Sequence, residues 1–153
     1  MDTSIICGVD GSADSAAAVK AAAGMAERLG ATLVLAHVVD YAHALSAVGP
    51  MGGGATSRPL LTEDFEEQEQ AAERLLAQVA VEAGLEQAER RVVFGFAAQR
   101  LADLADEVHA ELIVVGSRGR GAFKAAFLGS VSTALIGIAR CPVLVVPPGA
   151  SSS

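Results

Sequence analysis

Short apolar, β-branched runs alternate along this chain with longer segments of helical periodicity, and this alternation constrains the fold more than any other feature. The predicted strands cover residues 3–9, 31–39, 91–96, 111–115 and 142–146, and the predicted helices cover residues 13–29, 63–83, 99–109 and about 130–139. Apolar strands that alternate with helices are typical of a parallel sheet covered on both faces. The sequence therefore predicts a doubly wound α/β fold with a five-stranded parallel sheet and four helices.

The length and composition of the chain indicate one folded domain. Its 153 residues correspond to a single domain of ordinary size. Hydrophobic residues make up 52% of the chain and charged residues 19%, which excludes an intrinsically disordered protein. We expect one domain over residues 1–148 and a flexible tail over residues 149–153.

The charge balance and the cysteine content exclude several classes of function. A formal net charge of -7 has the wrong sign for a protein that binds nucleic acid through the phosphate backbone. Charged residues interrupt the apolar stretches, and the uncharged run 41–57 is rich in Gly, so we expect no membrane contact. The sequence starts without a basic stretch, so we expect no signal peptide. Cys7 and Cys141 fit reduced thiols in a cytoplasmic protein.

Two glycine clusters lie beyond the predicted fourth strand and at the start of the last predicted helix. Gly116 and Gly119 form the first cluster, and nine residues separate it from Gly129 and Ser130. Ligands of open parallel sheets bind beyond the carboxyl ends of the strands, where a glycine lets a ligand approach the backbone. The first N–H groups of a helix favour anions. We predict a phosphate cradle here, the alternative being that Ser130 only caps the helix and the glycines only permit turns.

Hydroxyl and cationic side chains extend this predicted cradle. The hydroxyl groups of Ser130 and Ser132 are candidate donors to phosphate. Arg118 and Arg120 carry the guanidinium group that pairs with phosphate through two parallel N–H bonds. The alternative is solvated loop charge, but two arginines within three residues beside a glycine cradle in an acidic protein favour contact with an anion. Lys124 is a weaker candidate in an apolar stretch.

Asp10 follows the first predicted strand and opens on the same crevice. A carboxylate there repels phosphate, but it accepts hydrogen bonds from ribose hydroxyls or helps to hold a hydrated divalent cation. The alternative role is helix N-cap, for which Ser12 competes, while Asp14 is favourably placed in the first turn.

The histidines and the remaining motifs indicate no catalytic centre. His37 alternates with Leu33 and Leu35 on one strand face, so we expect a buried, hydrogen-bonded histidine and not a ligand. The sequence has no Ser/His/Asp spacing, no paired carboxylates, no Cys/His metal spacing and no Walker loop. The prediction is a nucleotide cradle without an evident catalytic base.

The chain resembles the universal stress protein family over nearly its whole length. The resemblance is carried by residues 6–12, 35–39, 112–119, 128–132 and 141–146. The ATP-binding subgroup of that family has the motif G-x2-G-x9-G-[ST], and Gly116, Gly119, Gly129 and Ser130 match it with the full spacing. One departure is Ala97, two residues after Gly95, where many members have proline.

The resemblance implies a fold, a ligand and a partner. The fold would be adenine nucleotide alpha hydrolase-like, with strand order 3-2-1-4-5. ATP would bind, together with Mg²⁺ or Mn²⁺; Asp10 would contact the ribose, and Val38 would offer backbone groups to adenine. The residues around the phosphates would be Gly116, Gly119, Gly129, Ser130, Val131 and Ser132. A homodimer would form through the last strand, at Val143, Leu144, Val145 and Val146.

Three functions remain open from the sequence. The first is an ATP-binding regulatory protein in which ATP turnover is absent or slow, since the predicted cradle suffices for it. The second is an enzyme, either a slow ATP hydrolase or an ATP pyrophosphatase of the related superfamily. Asp10 stands where the pyrophosphatase loop should begin, and its negative charge disfavours that version. The third is a nucleotide-free dimeric interaction module, against which the intact glycine motif argues.

Overall fold

The computed structural model describes residues 2–40, 62–118 and 128–148, and within them strands and helices alternate as predicted. The strands are β1 (Ser4–Gly8), β2 (Thr32–Asp40), β3 (Glu89–Gly95), β4 (Ala110–Gly116) and β5 (Val143–Val146). The helices are α1 (Ala13–Leu29), α2 (Thr62–Ala83), α3 (Ala97–Glu107) and α4 (Ser130–Ile138). The predicted loop 41–57 and tail 149–153 lie outside the described residues, as do Gly119, Arg120 and Lys124.

The five described strands form one parallel sheet in the order β3-β2-β1-β4-β5. The doubly wound fold and the strand order expected from the resemblance are therefore confirmed. The chain moves outward from β1 in one direction through β2 and β3, then crosses to β4 on the other side. The direction reverses between β1 and β4, and at such a point the loops diverge and leave a crevice at the carboxyl ends of the strands.

Two of the described helices cover each face of the sheet. Helices α1 and α2 pack on one face, where Cys7, Leu35 and Leu76 are fully buried. Helices α3 and α4 pack on the other face around residues that include Ile6 and Leu135, which are also fully buried. Successive residues of a strand point to opposite faces, so the neighbours Ile6 and Cys7 contribute to different clusters.

Capping residues determine both ends of α1. The Ser12 side chain accepts a hydrogen bond from the Ser15 backbone N–H at 3.1 Å, so Ser12 is the N-cap. Gly30 ends the helix with φ of 64°, a left-handed conformation that glycine adopts without strain. Since Ser12 occupies the cap, the side chain of Asp10 is left at the crevice.

Within residues 2–40, 62–118 and 128–148, no helix has both the length and the apolar character that crossing a membrane requires.

Candidate functional site

A cleft with a volume of about 930 Å³ lies at the carboxyl ends of the strands. It falls within the range usual for small-molecule sites. Its walls come from the ends of β1, β2 and β4 and from α2, α3 and α4. The predicted site residues in the described part of the chain all line it: Asp10, Val38, Gly116, Arg118, Gly129, Ser130, Val131 and Ser132.

The amino terminus of α4 forms one wall of this cleft. Gly129 is the N-cap, with φ of -66° and ψ of 164°, and Ser130 is the first helical residue. This corrects the alternative in which Ser130 caps the helix. Gly129 has no side chain to accept a bond from the first turn, so no cap side chain occupies the N–H groups there. The Gly129 N–H itself donates to the Ser117 carbonyl at 2.6 Å, which ties the helix start to the end of β4.

The two serines of this turn have different environments. The Ser132 side chain donates a hydrogen bond to the Gly116 carbonyl at 2.8 Å, and the residue is only 2% exposed. This hydroxyl is engaged inside the fold, which differs from the sequence expectation that it donates to phosphate. Ser130 is exposed, and its hydroxyl makes no hydrogen bond within the described part of the chain. Ser130 therefore has the hydroxyl that is open to a ligand.

Gly116 is required by helix packing. A Cβ atom at this position would lie within 3.0 Å of the backbone of Asp14, at the start of α1. The sequence interpretation attributed this glycine to the approach of a ligand. The structure adds a second reason, because the first turn of α1 also approaches Gly116, which lines the cleft.

Asp14 holds the segment that follows β4. Its Oδ2 atom accepts hydrogen bonds from the Ser117 hydroxyl at 3.3 Å, from the Arg118 backbone N–H at 3.1 Å and from the Arg118 Nε–H at 3.2 Å. The residue is 7% exposed. Arg118 lines the cleft with its guanidinium paired to this carboxylate. The sequence placed Asp14 in the first turn of the helix but offered no signal for this pairing.

Asp10 and His37 occupy the other side of the crevice. Asp10 Oδ1 accepts a hydrogen bond from the Ser12 backbone N–H at 2.8 Å. His37 Nδ1 lies 2.6 Å from the Val9 carbonyl oxygen, and a carbonyl only accepts, so Nδ1 carries the proton. The expected hydrogen bond of His37 is present, but the residue is half-buried and lines the cleft, so it is not the fully buried histidine predicted.

One wall of the cleft was absent from the sequence prediction. Its residues share a face of α2, at spacings of three, one and three residues: Gln68, Ala71, Ala72 and Leu75. The helical periodicity of this segment indicates that such a face exists. It does not reveal that the face turns toward the carboxyl end of β2, which depends on how α2 packs on the sheet.

Comparisons with known proteins identify relatives over the same residues. The model of the universal stress protein family matches residues 1–147. A universal stress protein of Mycolicibacterium smegmatis is 35% identical over 150 aligned residues, which cover 94% of this chain and 45% of that protein. A universal stress protein of Methanocaldococcus jannaschii is 32% identical over 144 aligned residues, which cover 93% of this chain and 80% of that protein. The chain thus spans less than half of the mycobacterial relative.

A solved structure of the same family has a similar fold. A universal stress protein solved in complex with cAMP superimposes with a TM-score of 0.64 and is 26% identical. The match covers 97% of this chain and 98% of that one.

Proposed function

The chain belongs to the universal stress protein family, and from that premise we propose that it binds ATP and acts as a nucleotide-dependent regulatory protein in a stress response. One relative was solved with cAMP, so an adenine nucleotide is a ligand of at least one protein of this fold. ATP itself, and the regulatory role, are our proposal for this chain.

The observation that carries the proposal is the open amino terminus of α4 in the wall of the cleft. The backbone N–H groups of Ser130, Val131 and Ser132 have no acceptor within the helix, and the helix dipole favours negative charge at this end. The exposed hydroxyl of Ser130 adds a donor. Because all three residues line the cleft, the phosphates of ATP would lie here.

The sugar and base would extend toward β1 and β2. The carboxylate of Asp10 has one oxygen engaged with the Ser12 N–H, which leaves acceptor capacity for ribose hydroxyls. Val38 lines the cleft at the end of β2, where its backbone would meet adenine. This arrangement keeps the carboxylate away from the phosphates, as electrostatic repulsion requires.

We include Mg²⁺ or Mn²⁺ with the nucleotide. The part of the chain that the structure describes contains no group of three or more His, Cys, Asp or Glu side chains able to hold a metal ion. A cation that arrives with ATP would take its ligands from phosphate oxygens, water and at most one carboxylate.

A homodimer through β5 and a cytoplasmic location complete the proposal. β5 lies at the edge of the described sheet, and an unpaired strand edge is a template for pairing with another chain. Helix α4 leaves Ile136 and Ile138 exposed, at 56% and 42%. An apolar helix face and an open strand edge together favour self-association.

The free thiols of Cys7 and Cys141 suit a reducing compartment.

Isothermal titration with ATP and Mg²⁺ tests the proposal. The decisive variant is Gly129→Asp, because Asp is a favourable N-cap at a residue with negative φ and so adds charge to the cradle without breaking the helix. The matched control is Gly137→Asp, which adds the same charge elsewhere in α4.

We expect the native protein and Gly137→Asp to bind, and Gly129→Asp to lose at least tenfold in affinity. Absence of binding by the folded native protein would overturn the proposal and leave the nucleotide-free dimeric module. Phosphate release measured on the same samples distinguishes a pure binder from a slow hydrolase.

A further inference from the structure

Gln68 is a polar residue in an apolar wall of the cleft. Helix α2 lines the cleft with this glutamine and with Ala71, Ala72 and Leu75. Ala72 is buried, Leu75 and Gln68 are half-buried, and Ala71 is exposed. An aliphatic surface of this kind suits a flat, weakly polar group, and a single carboxamide in it is placed to orient that group.

Most polar side chains that line the cleft already have a partner. Side-chain hydrogen bonds within the described residues engage Asp10, Ser15, His37, Arg118 and Ser132. Asp40 also has an interaction partner. Gln68 and Ser130 are the two cleft residues whose polar side chains make no hydrogen bond within residues 2–40, 62–118 and 128–148. A ligand would therefore meet unengaged side-chain groups at these two positions.

These two residues lie on opposite sides of the sheet. Ser130 begins α4, which packs with α3 on one face near the end of β4. Gln68 belongs to α2, which covers β2 and β3 on the other face. A nucleotide whose phosphates bind at α4 and whose sugar crosses the point between β1 and β4 would bring its base toward the end of β2, beside the wall that contains Gln68.

We propose that the Gln68 carboxamide recognises the base together with the backbone of Val38, by pairing with the amino group and an adjacent ring nitrogen of adenine. The inference rests on the proposed function. The carboxamide has one acceptor oxygen and a donor NH₂ group side by side. Adenine presents the complementary pair, an exocyclic N–H donor beside a ring nitrogen acceptor, and glutamine pairs with it through two hydrogen bonds. Gln68 thereby contributes to the preference for adenine.

The test compares ATP with purine riboside triphosphate, which lacks only the amino group, by titration calorimetry in the presence of Mg²⁺. The variant is Gln68→Leu, which keeps size and helix propensity but removes both polar groups. The control is Gln70→Leu, on the same helix, at an exposed residue outside the cleft. Thermal unfolding of both variants checks that α2 is intact.

We expect the native protein and Gln70→Leu to bind ATP about tenfold more tightly than the analogue, and Gln68→Leu to lose most of this preference. A Gln68→Leu protein that keeps the full preference for ATP, or that loses the same factor for both ligands, overturns the assignment, since the carboxamide then does not contact the amino group. A native protein that binds neither ligand would overturn the proposed function itself, which is a different outcome from failure of the Gln68 assignment.

Discussion

Gly116 lies so close to the backbone of Asp14 that a Cβ atom at position 116 would come within 2.7 Å of the Asp14 carbonyl carbon and 2.8 Å of its Cβ. Contacts this short do not occur between real carbon atoms, and backbone atoms cannot rotate away as a flexible side chain can. The end of β4 and the start of α1 therefore approach each other only because residue 116 has no side chain.

The first prediction is that Gly116→Ala destabilises the fold. Forcing the first turn of α1 away from β4 should lower the free energy of unfolding by about 1–3 kcal/mol or more. Urea denaturation measures the change. Gly137→Ala is the control, because Gly137 is helical and a Cβ atom there meets nothing within 4 Å. The control should be unchanged or slightly stabilised. Equal stability of the two variants would contradict the packing argument.

The second prediction concerns the carboxylate of Asp14. Asp14→Ala removes the acceptor of the buried Ser117 hydroxyl and of two half-buried Arg118 N–H groups, and leaving these donors unpaired should reduce stability by about 1–3 kcal/mol. Asp103→Ala is the control. It removes an exposed ion pair with Arg100, worth roughly 0.5 kcal/mol. Urea denaturation measures the stability of both variants. A loss of stability for Asp14→Ala no larger than that for Asp103→Ala would show that the Asp14 carboxylate does not hold the segment after β4.

The third prediction is an alkaline loss of stability caused by Cys7. Complete burial raises the pKa of this thiol from 9.0 to about 12. Between these values the unfolded chain releases the proton and the folded chain keeps it, so folding becomes less favourable as the pH rises above 9. The contribution is fully present below pH 9 and falls by up to about 1.4 kcal/mol per pH unit until pH 12. Urea unfolding at pH 8, 10 and 11 measures it.

Cys7→Ala supplies the comparison for this pH dependence. Below pH 9 the variant should be less stable than the native protein because a buried side chain is shortened, and above pH 9 its stability should decline less steeply. Parallel curves for the two proteins would show that other groups cause the alkaline transition.

The fourth prediction addresses the proposed dimer. The carbonyls of Pro142 and Val146 accept hydrogen bonds from the β4 side, and backbone groups alternate in direction along a strand. The N–H of Val145 therefore points to the open edge. Val145→Pro removes this donor without breaking the internal ladder, since edge positions tolerate proline. Light scattering after gel filtration should show a monomer.

Val145→Thr is the control for that variant, because it keeps the N–H and a β-branched shape. It should remain dimeric. A Val145→Pro protein that is folded and still dimeric would exclude pairing through β5, and a monomeric native protein would exclude the dimer altogether.

The sequence predicted the local structure well because local structure depends on near neighbours. The periodicity of α1 and α2, the capping residues Ser12 and Gly30 and the apolar runs of the strands are all properties of adjacent residues. Alternation of strands and helices then restricts the chain to a parallel sheet. Gly116 and Gly129 of the glycine motif likewise lie at the cleft, at the end of β4 and at the start of α4.

What the sequence could not decide is which side chains meet across the fold. Asp14 and Arg118 are 104 residues apart, and nothing local to either one predicts their pairing. The same holds for Ser132, whose hydroxyl bonds to Gly116, and for Gln68, which patterning assigns only to a polar helix face. The sequence by itself determined the elements, their parallel arrangement and the position of the cleft. Only the tertiary structure decided which polar groups are engaged and which stay open to a ligand, because that depends on how the helices pack against the sheet.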